Sequence, residues 1–475
     1  PITVLSGQNA GASLGNLICP NTTVAACATV GQVGNESKIM RKTIPACGIL
    51  VALYMVLTMA YNLVDSLWVG NLMGETGYAA LTSSTSVVLI LSAIVMGSSN
   101  GAAILIAQTA GAKREAGGLI SVSLALAGAF SVGVTAVLEL ALRPLLSAMN
   151  TPPELFSMAY DYLSVYLLGY AAIFLYMHFT AAFRAFGDPV FQMKGMLLST
   201  VFNAAADPLM IRGFGLRGAA WATVLSEALC LVFAVVYHRK KRLFRLALRR
   251  ADAAWVRPLL ADAVPSAVQS CMPAVSSAAL LLLVTGFGVT AIAAYGAAGR
   301  LEILLFYPAM AMNMALTAIT GQCSGAGRTD RVRDYLRCAL RLGAVFTAVL
   351  SAAVILFAGP LSRLFVNSAD TAAIVQDFFR VVSVGYVLYM ATSCFLGETS
   401  GLGRPGRSMA LMFVYYIVVR VPLAAALVRT PLALDGVWTA ILISHIAAAA
   451  LAAAQGLSLL RTKTPSRTAP KGEAA

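Results

Sequence analysis

The sequence predicts an all-α integral membrane protein, with twelve transmembrane helices in two six-helix bundles related by a pseudo-two-fold axis along the membrane normal. Three observations predict it. Apolar residues make up 59% of the 475-residue chain and charged residues 11%, with a mean hydropathy of +0.80, a balance that soluble domains do not reach. Uncharged apolar windows long enough to cross roughly 30 Å of hydrocarbon recur along the chain. The chain also repeats itself, in order, at an offset of 214 to 218 residues.

The windows fall near 45–70, 82–108, 119–142, 158–183, 191–211 and 218–237, and again near 262–286, 292–320, 336–357, 374–397, 408–428 and 436–459. They divide the chain into an N-terminal extension (1–37), an N-terminal six-helix bundle (38–237), a basic linker (238–258), a C-terminal six-helix bundle (259–460) and a tail (461–475). The extension is uncharged up to Glu36 and lacks the basic start and compact apolar core of a signal peptide; no role is assigned to it.

The formal charge of +14 follows from topology. With both termini in the cytoplasm, 26 of the 34 Lys and Arg fall in inside segments and five outside, which fixes the orientation by the positive-inside rule. A multi-pass protein of the inner (plasma) membrane is therefore expected, in contact with lipid headgroups and not with nucleic acid. The block "HRKKRLFRLALRRADAAWVR" (238–257) reads as a cytoplasmic linker. No HExxH, GxSxG or GxxxxGK[ST] motif is present, so neither an enzyme nor an ATP-driven pump is expected. The eight cysteines and three histidines form no metal-ligand spacing, and no cofactor or metal is expected.

Offset by 214, "QTAGA" (108–112) meets "QCSGA" (322–326) and Gly74 meets Gly288. Offset by 216, "GDP" (187–189) meets "GRP" (403–405), and by 218, Gly218 meets Gly436. Six spans per repeat bring both halves in from the same side, so their axis lies along the membrane normal. Two like bundles with a cleft between them suit alternating access better than a channel, which needs a filter loop or a ring of subunits.

Charges inside the spans mark the chemistry. In "NLVDSLWVG", Asp65 is the lone charge between Lys42 and Glu75, where an acid costs about 2.5–3.5 kcal/mol at the centre of a membrane helix. Asn203 and Asp207, four apart, share a helix face, and Pro208 removes a backbone donor beside them. The repeat places Ala279 opposite Asp65, and Leu423, Ala424 and Ala425 opposite Asp207, so the second half keeps the scaffold without these acids. Two carboxylates in low dielectric cannot both ionise cheaply, which suits a pair that loads and releases a proton; Asn203 is its amide partner and Thr223 a hydroxyl partner. The same oxygens would also accept Na+. Arg300 and Glu302, two apart, face different directions; Glu302 binds a cationic substrate or coupling ion, or pairs with Arg420. Beside it, Phe306, Met310 and Asn313 are candidate substrate contacts, as is Tyr61, since methionine suits promiscuous surfaces. Glu398 is expected at a cytoplasmic helix end, with Glu139 and Glu227 near span ends.

The stretches "YNLVDSLWVGNLMGETGYAAL", "QTAGAKR", "FRAFGDP", "NAAADPLMI" with "GLRGAAWAT", and "GQCSGAGRTDRVR" resemble the multidrug and toxic compound extrusion (MATE) family over roughly residues 45–460. An acid in the first span with Asn-x-x-x-Asp in the fifth is similar to its DinF-like branch. That resemblance implies a V-shaped twelve-helix antiporter, functional as a monomer, exporting amphiphilic, cationic drugs or metabolites against inward H+ or Na+, with Asp65, Asn203 and Asp207 as coupling residues. The branch and the paired acids favour H+. A flippase of a lipid-linked substrate is the other reading, opposed by a cleft with more acid than base.

Overall fold

The computed structural model describes residues 83–461, with breaks at 86, 150–151, 189, 245, 247–252 and 364–368, together with scattered residues between 68 and 81. The expected first span, Tyr61 and Asp65, the extension and most of the tail lie outside the described residues. What is described is almost wholly helical: α1 (Ser83–Gly111), α2 (Gly117–Ala148), α3 (Pro153–Ala185), α4 (Val190–Phe214), α5 (Leu216–Lys241), α6 (Val256–Val284), α7 (Val289–Gly325), α8 (Thr329–Arg363), α9 (Ala369–Gly401), α10 (Pro405–Leu427) and α11 (Leu434–Arg461). Nine helices among the described residues are long and apolar enough to cross a membrane, and the protein is an all-α integral membrane protein.

Most helices overrun the expected windows by several residues, because the apolar stretch marks the hydrocarbon and not the whole helix. The stretch expected as a basic linker (238–258) is helical at both its ends. α5 carries the first basic residues to Lys241, where cations oppose the negative end of the helix dipole. Arg242 (φ 48) then turns the chain so that Phe244 stacks on His238 at 4.6 Å between ring centroids, and helix resumes at Ala253.

Two compact units form, one comprising α1 up to Ile106 and Arg114–Ala263, the other Ala107–Lys113 and the chain from Val264 onward. In each, one helix is central. α3 in the first and α9 in the second bury 72% and 67% of their apolar windows, against 33% and 28% for α2 and α8. Leu140 on α2 and Leu356 on α8 project outward at 86% and 76% exposure, as side chains facing lipid do. The first core gathers Leu163, Tyr170 and Phe174 of α3 with Leu142, Ala219 and Ala220. The second gathers Phe378, Phe379 and Tyr386 of α9 with Leu301 and Trp438.

The repeat is written in the backbone. Gly187 (φ 81) and Gly403 (φ 77) both end a helix in the left-handed region. The residues after them close matching turns, Asp188 N–H donating to Phe183 O at 2.9 Å and Arg404 N–H to Thr399 O at 3.2 Å, the six-to-one bond of a Schellman cap. Proline then opens the helix after Gly403, where its missing N–H costs nothing. The correspondence survives loss of glycine, since Lys113 (φ 57) matches Gly327 (φ 70) at offset 214 and Ala433 (φ 47) matches Gly215 (φ 60) at offset 218.

Membrane helices associate through close packing of small residues more than through the hydrophobic effect, and the repeated glycines supply it. A Cβ on Gly218 would strike the Met210 carbonyl, and one on Gly436 would lie 2.7 Å from the Leu427 backbone. Within the second unit, the end of α1 crosses the end of α7 reciprocally. A Cβ on Gly111 would strike the backbone of Gln322, and one on Gly325 that of Gln108. Gln108, 2% exposed, donates from Nε2 to the Gly401 carbonyl at 2.9 Å.

Candidate functional site

In the N-terminal bundle, three buried polar residues of α4 form one stripe. Ser199, Asn203 and Asp207 follow at four-residue intervals on α4 and are 6%, 1% and 0% exposed. Asn203 Nδ2 donates to Asp207 Oδ1 at 3.4 Å, so the two residues expected to act together do meet. Asn203 Oδ1 has no hydrogen-bond partner among the described residues, leaving a buried acceptor for a proton donor or a cation. α4 runs unbroken through Pro208. Thr223, half-buried on α5, makes no side-chain bond to the pair among the described residues, and its carbonyl accepts Ser226 Oγ at 2.8 Å.

One turn along, Ser199 Oγ lies 3.5 Å from Glu227 Oε1 and 3.4 Å from Ser226 Oγ. Glu227, expected near a span end, instead sits on α5 one turn beyond Thr223, facing the stripe. Sequence reading passed over it because an acid four residues from a small polar side chain on the same helix carries no information about the neighbouring helix.

The C-terminal bundle holds a second cluster of different chemistry. Glu302 Oε1 accepts from Tyr386 Oη at 3.1 Å, and no ion pair joins Glu302 to Arg420. Arg420, 5% exposed, donates from Nε to Ser444 Oγ at 2.9 Å and from an Nη to Tyr415 Oη at 2.6 Å. Its guanidinium also covers the Tyr415 and Tyr416 rings at 4.7 and 4.6 Å, stacking that suits a planar, weakly hydrated cation. With Tyr415 oxygen accepting from Arg420, its hydroxyl hydrogen is directed to His445 Nδ1 at 2.8 Å. The imidazole is then the neutral Nε2–H tautomer, and Nε2 has no partner among the described residues.

A π-helical segment, Val414–Arg420, makes this cluster possible. Hydrogen bonding from i to i+5 widens the turn, so Tyr415 and Tyr416 come to lie beside Arg420, five and four residues on. An ordinary α-helix would turn Tyr415 away from it. The sequence offered Arg420 only as a partner for Glu302 and gave His445 none, and the π segment has no signature that would have joined them.

Along α7, Glu302, Phe306 and Met310 lie at four-residue intervals and each is half-buried. Phe306 meets the Tyr389 ring at 4.6 Å and that of Tyr386, edge to face, at 5.8 Å. Asn313 is engaged elsewhere, donating from Nδ2 to the Ser393 carbonyl at 3.0 Å. Glu398, fully buried in the last turn of α9, packs where a side chain on Gly456 would otherwise sit. Among the described residues, no three His, Cys, Asp or Glu side chains group to hold a metal ion.

Ionisable side chains buried inside membrane spans mark functional positions. The chain belongs to the MatE family, whose model matches residues 51–209 and 265–426, and it is a transporter and not an enzyme. A second family model, that of L-lactate permease, matches residues 1–65. The chain is 26% identical over 376 residues to the probable multidrug resistance protein YpnP of Bacillus subtilis, covering 78% of this chain and 84% of that protein. An outward-facing multidrug resistance MATE family transporter of the MOP superfamily matches with a TM-score of 0.81 at 26% identity, over 86% of this chain and 93% of the other. A MOP superfamily transporter from Pyrococcus furiosus shares the fold with a TM-score of 0.84 at 24% identity, over 95% and 98%.

Proposed function

We propose that this transporter exports amphiphilic organic cations from the cytoplasm across the plasma membrane by alternating access, in exchange for protons entering through the N-terminal bundle. The observation that carries this reading is the fully buried Asn203–Asp207 pair, placed where the repeat has Leu423, Ala424 and Ala425. An acid retained in one copy of a scaffold and absent from the other serves something other than packing. Asp65 supplies the second carboxylate and Thr223 a hydroxyl on the adjoining helix. Charging and discharging the pair favours different packings of the bundle, and cargo affinity follows by linkage.

Glu302, with the Phe306, Tyr386 and Tyr389 rings beside it, is the subsite for the cargo's positive charge, since carboxylate and aromatic faces both attract a desolvated cation. Met310 extends it with an adaptable apolar surface. Arg420 is held by Ser444, Tyr415 and Tyr416, an arrangement that favours a cationic guest over the pyrophosphate of a lipid-linked sugar.

The test uses purified protein in liposomes with ethidium, a fluorescent organic cation, under a pH gradient and a Na+ gradient imposed separately. Uptake driven by the pH gradient and lost in Asp207→Asn is the expected result. Drive by Na+ alone would make the oxygens of Asn203 and Asp207 a sodium site, and drive by neither would overturn the antiport reading.

A further inference from the structure

Resting on the proton-coupled reading above, we propose that Glu227 is a further proton-binding carboxylate of the N-terminal bundle, which takes the coupling proton after Asp207 and passes it toward the cytoplasm. Four observations place it there. Ser199 lies on the same face of α4 as Asn203 and Asp207, and its hydroxyl reaches Glu227 across the α4–α5 contact at 3.5 Å. Glu227 Oε2 is buried with no hydrogen-bond partner among the described residues, an acceptor that a proton would satisfy. Among the described residues, the groups that bear on it are Ser199 from α4, Tyr166 from α3 and Cys230 from its own helix. No Lys or Arg is among these, so none of them holds the carboxylate charged.

Fourth, the direction is right. On α4, Asp207, Asn203, Ser199 and Lys194 follow one another toward the helix start; on α5, Thr223, Glu227 and then His238–Lys241 follow toward the helix end. Both series run to the same side, the start of α4 and the end of α5; single arginines also lie at the opposite ends, Arg212 and Arg217, but the excess of Lys and Arg in the segments on this side assigns it to the cytoplasm. Asn203 to Ser199 is one helical turn, a gap of about 5–6 Å between Cβ atoms that one bridging water would span. The step balances simply. Asp207 loses its proton and returns to carboxylate, Glu227 gains it and becomes the neutral acid, and Glu227 then releases it to water at the cytoplasmic side.

An ionisable side chain inside a membrane bundle is functional by default, but a buried Glu can also be a packing element, and the experiment separates the two. Wild type, Glu227→Gln, Glu227→Asp, Ser199→Ala and Asp207→Asn are reconstituted in liposomes containing a pH-sensitive dye, with ethidium as cargo. Three readouts are taken: uptake under a pH gradient, its dependence on the pH of the cytoplasm-equivalent side, and ethidium binding and gradient-free exchange. Expected for Glu227→Gln is at least a tenfold loss of pH-driven rate and a flattened dependence on that side's pH, with binding and exchange within twofold of wild type. Glu227→Asp restores most of the rate, and Ser199→Ala gives an intermediate loss. Wild-type rates and pH profile in Glu227→Gln would overturn the relay while leaving proton coupling through Asp207 standing. Loss of binding and exchange together with uptake, not restored by Glu227→Asp, would also overturn it, in favour of packing. A wild-type protein indifferent to the pH gradient would overturn the coupling reading itself, and the relay with it.

Discussion

The two bundles share a scaffold and surround their buried acids differently. In the N-terminal bundle, carboxylates meet amides and hydroxyls along one stripe: Asp207 with Asn203, and Glu227 with Ser199. In the C-terminal bundle, a single carboxylate meets a tyrosine, and a buried guanidinium is fixed by two tyrosine rings, a serine and, through Tyr415, a histidine. One scaffold thus places its acids among neutral amides and hydroxyls in one half, and an acid and a guanidinium among tyrosines in the other.

The widest separation between the two should come from Asp207→Asn set against Glu302→Gln. The first is expected to lower pH-driven ethidium uptake about 100-fold, toward the top of the range for linked sites, with binding little changed. The second should weaken ethidium binding about tenfold or more, the loss of a charge-assisted contact, while proton movement through the N-terminal bundle persists. Equal loss of binding in both variants would show that the division of labour is wrong.

Next in size is the shared scaffold. Gly436→Ala and Gly218→Ala each drive a methyl into backbone, and each should destabilise by about 1–3 kcal/mol as overpacking does, visible as a lowered melting temperature in detergent. An unshifted melt in either would break the equivalence of the two turns. Tyr415→Phe removes the oxygen shared by Arg420 and His445 and should cost about 1–2 kcal/mol, with a readout in melting temperature and a smaller one in ethidium affinity. The smallest effect tests the repeat directly: Lys113→Gly, at a left-handed position where the other half has Gly327, should stabilise by about 0.5–1 kcal/mol.

Much of this was legible beforehand for definite reasons. Span number and placement follow from apolar length, since a helix in lipid must satisfy its own backbone. The pairing of Asn203 with Asp207 follows from a four-residue interval, which a helix converts into contact with no help from its neighbours. Other contacts were not legible this way because they depend on a second helix: Glu302, open to pairing with Arg420, accepts from Tyr386; Asn313 donates to Ser393; and Glu227, expected near a span end, lies at the edge of the polar stripe of α4.

The sequence by itself determined the membrane class, the repeat and the local side-chain intervals, because these depend on composition and on the helix period alone. Tertiary structure decided which polar groups meet across helices, and it did so through features with no sequence signature. The π segment Val414–Arg420 turns Tyr415 onto Arg420, and the packing of α5 on α4 brings Glu227 to Ser199. In both cases a rotation of one helix by a fraction of a turn selects the partner, and that rotation is set by the packing of all its neighbours together.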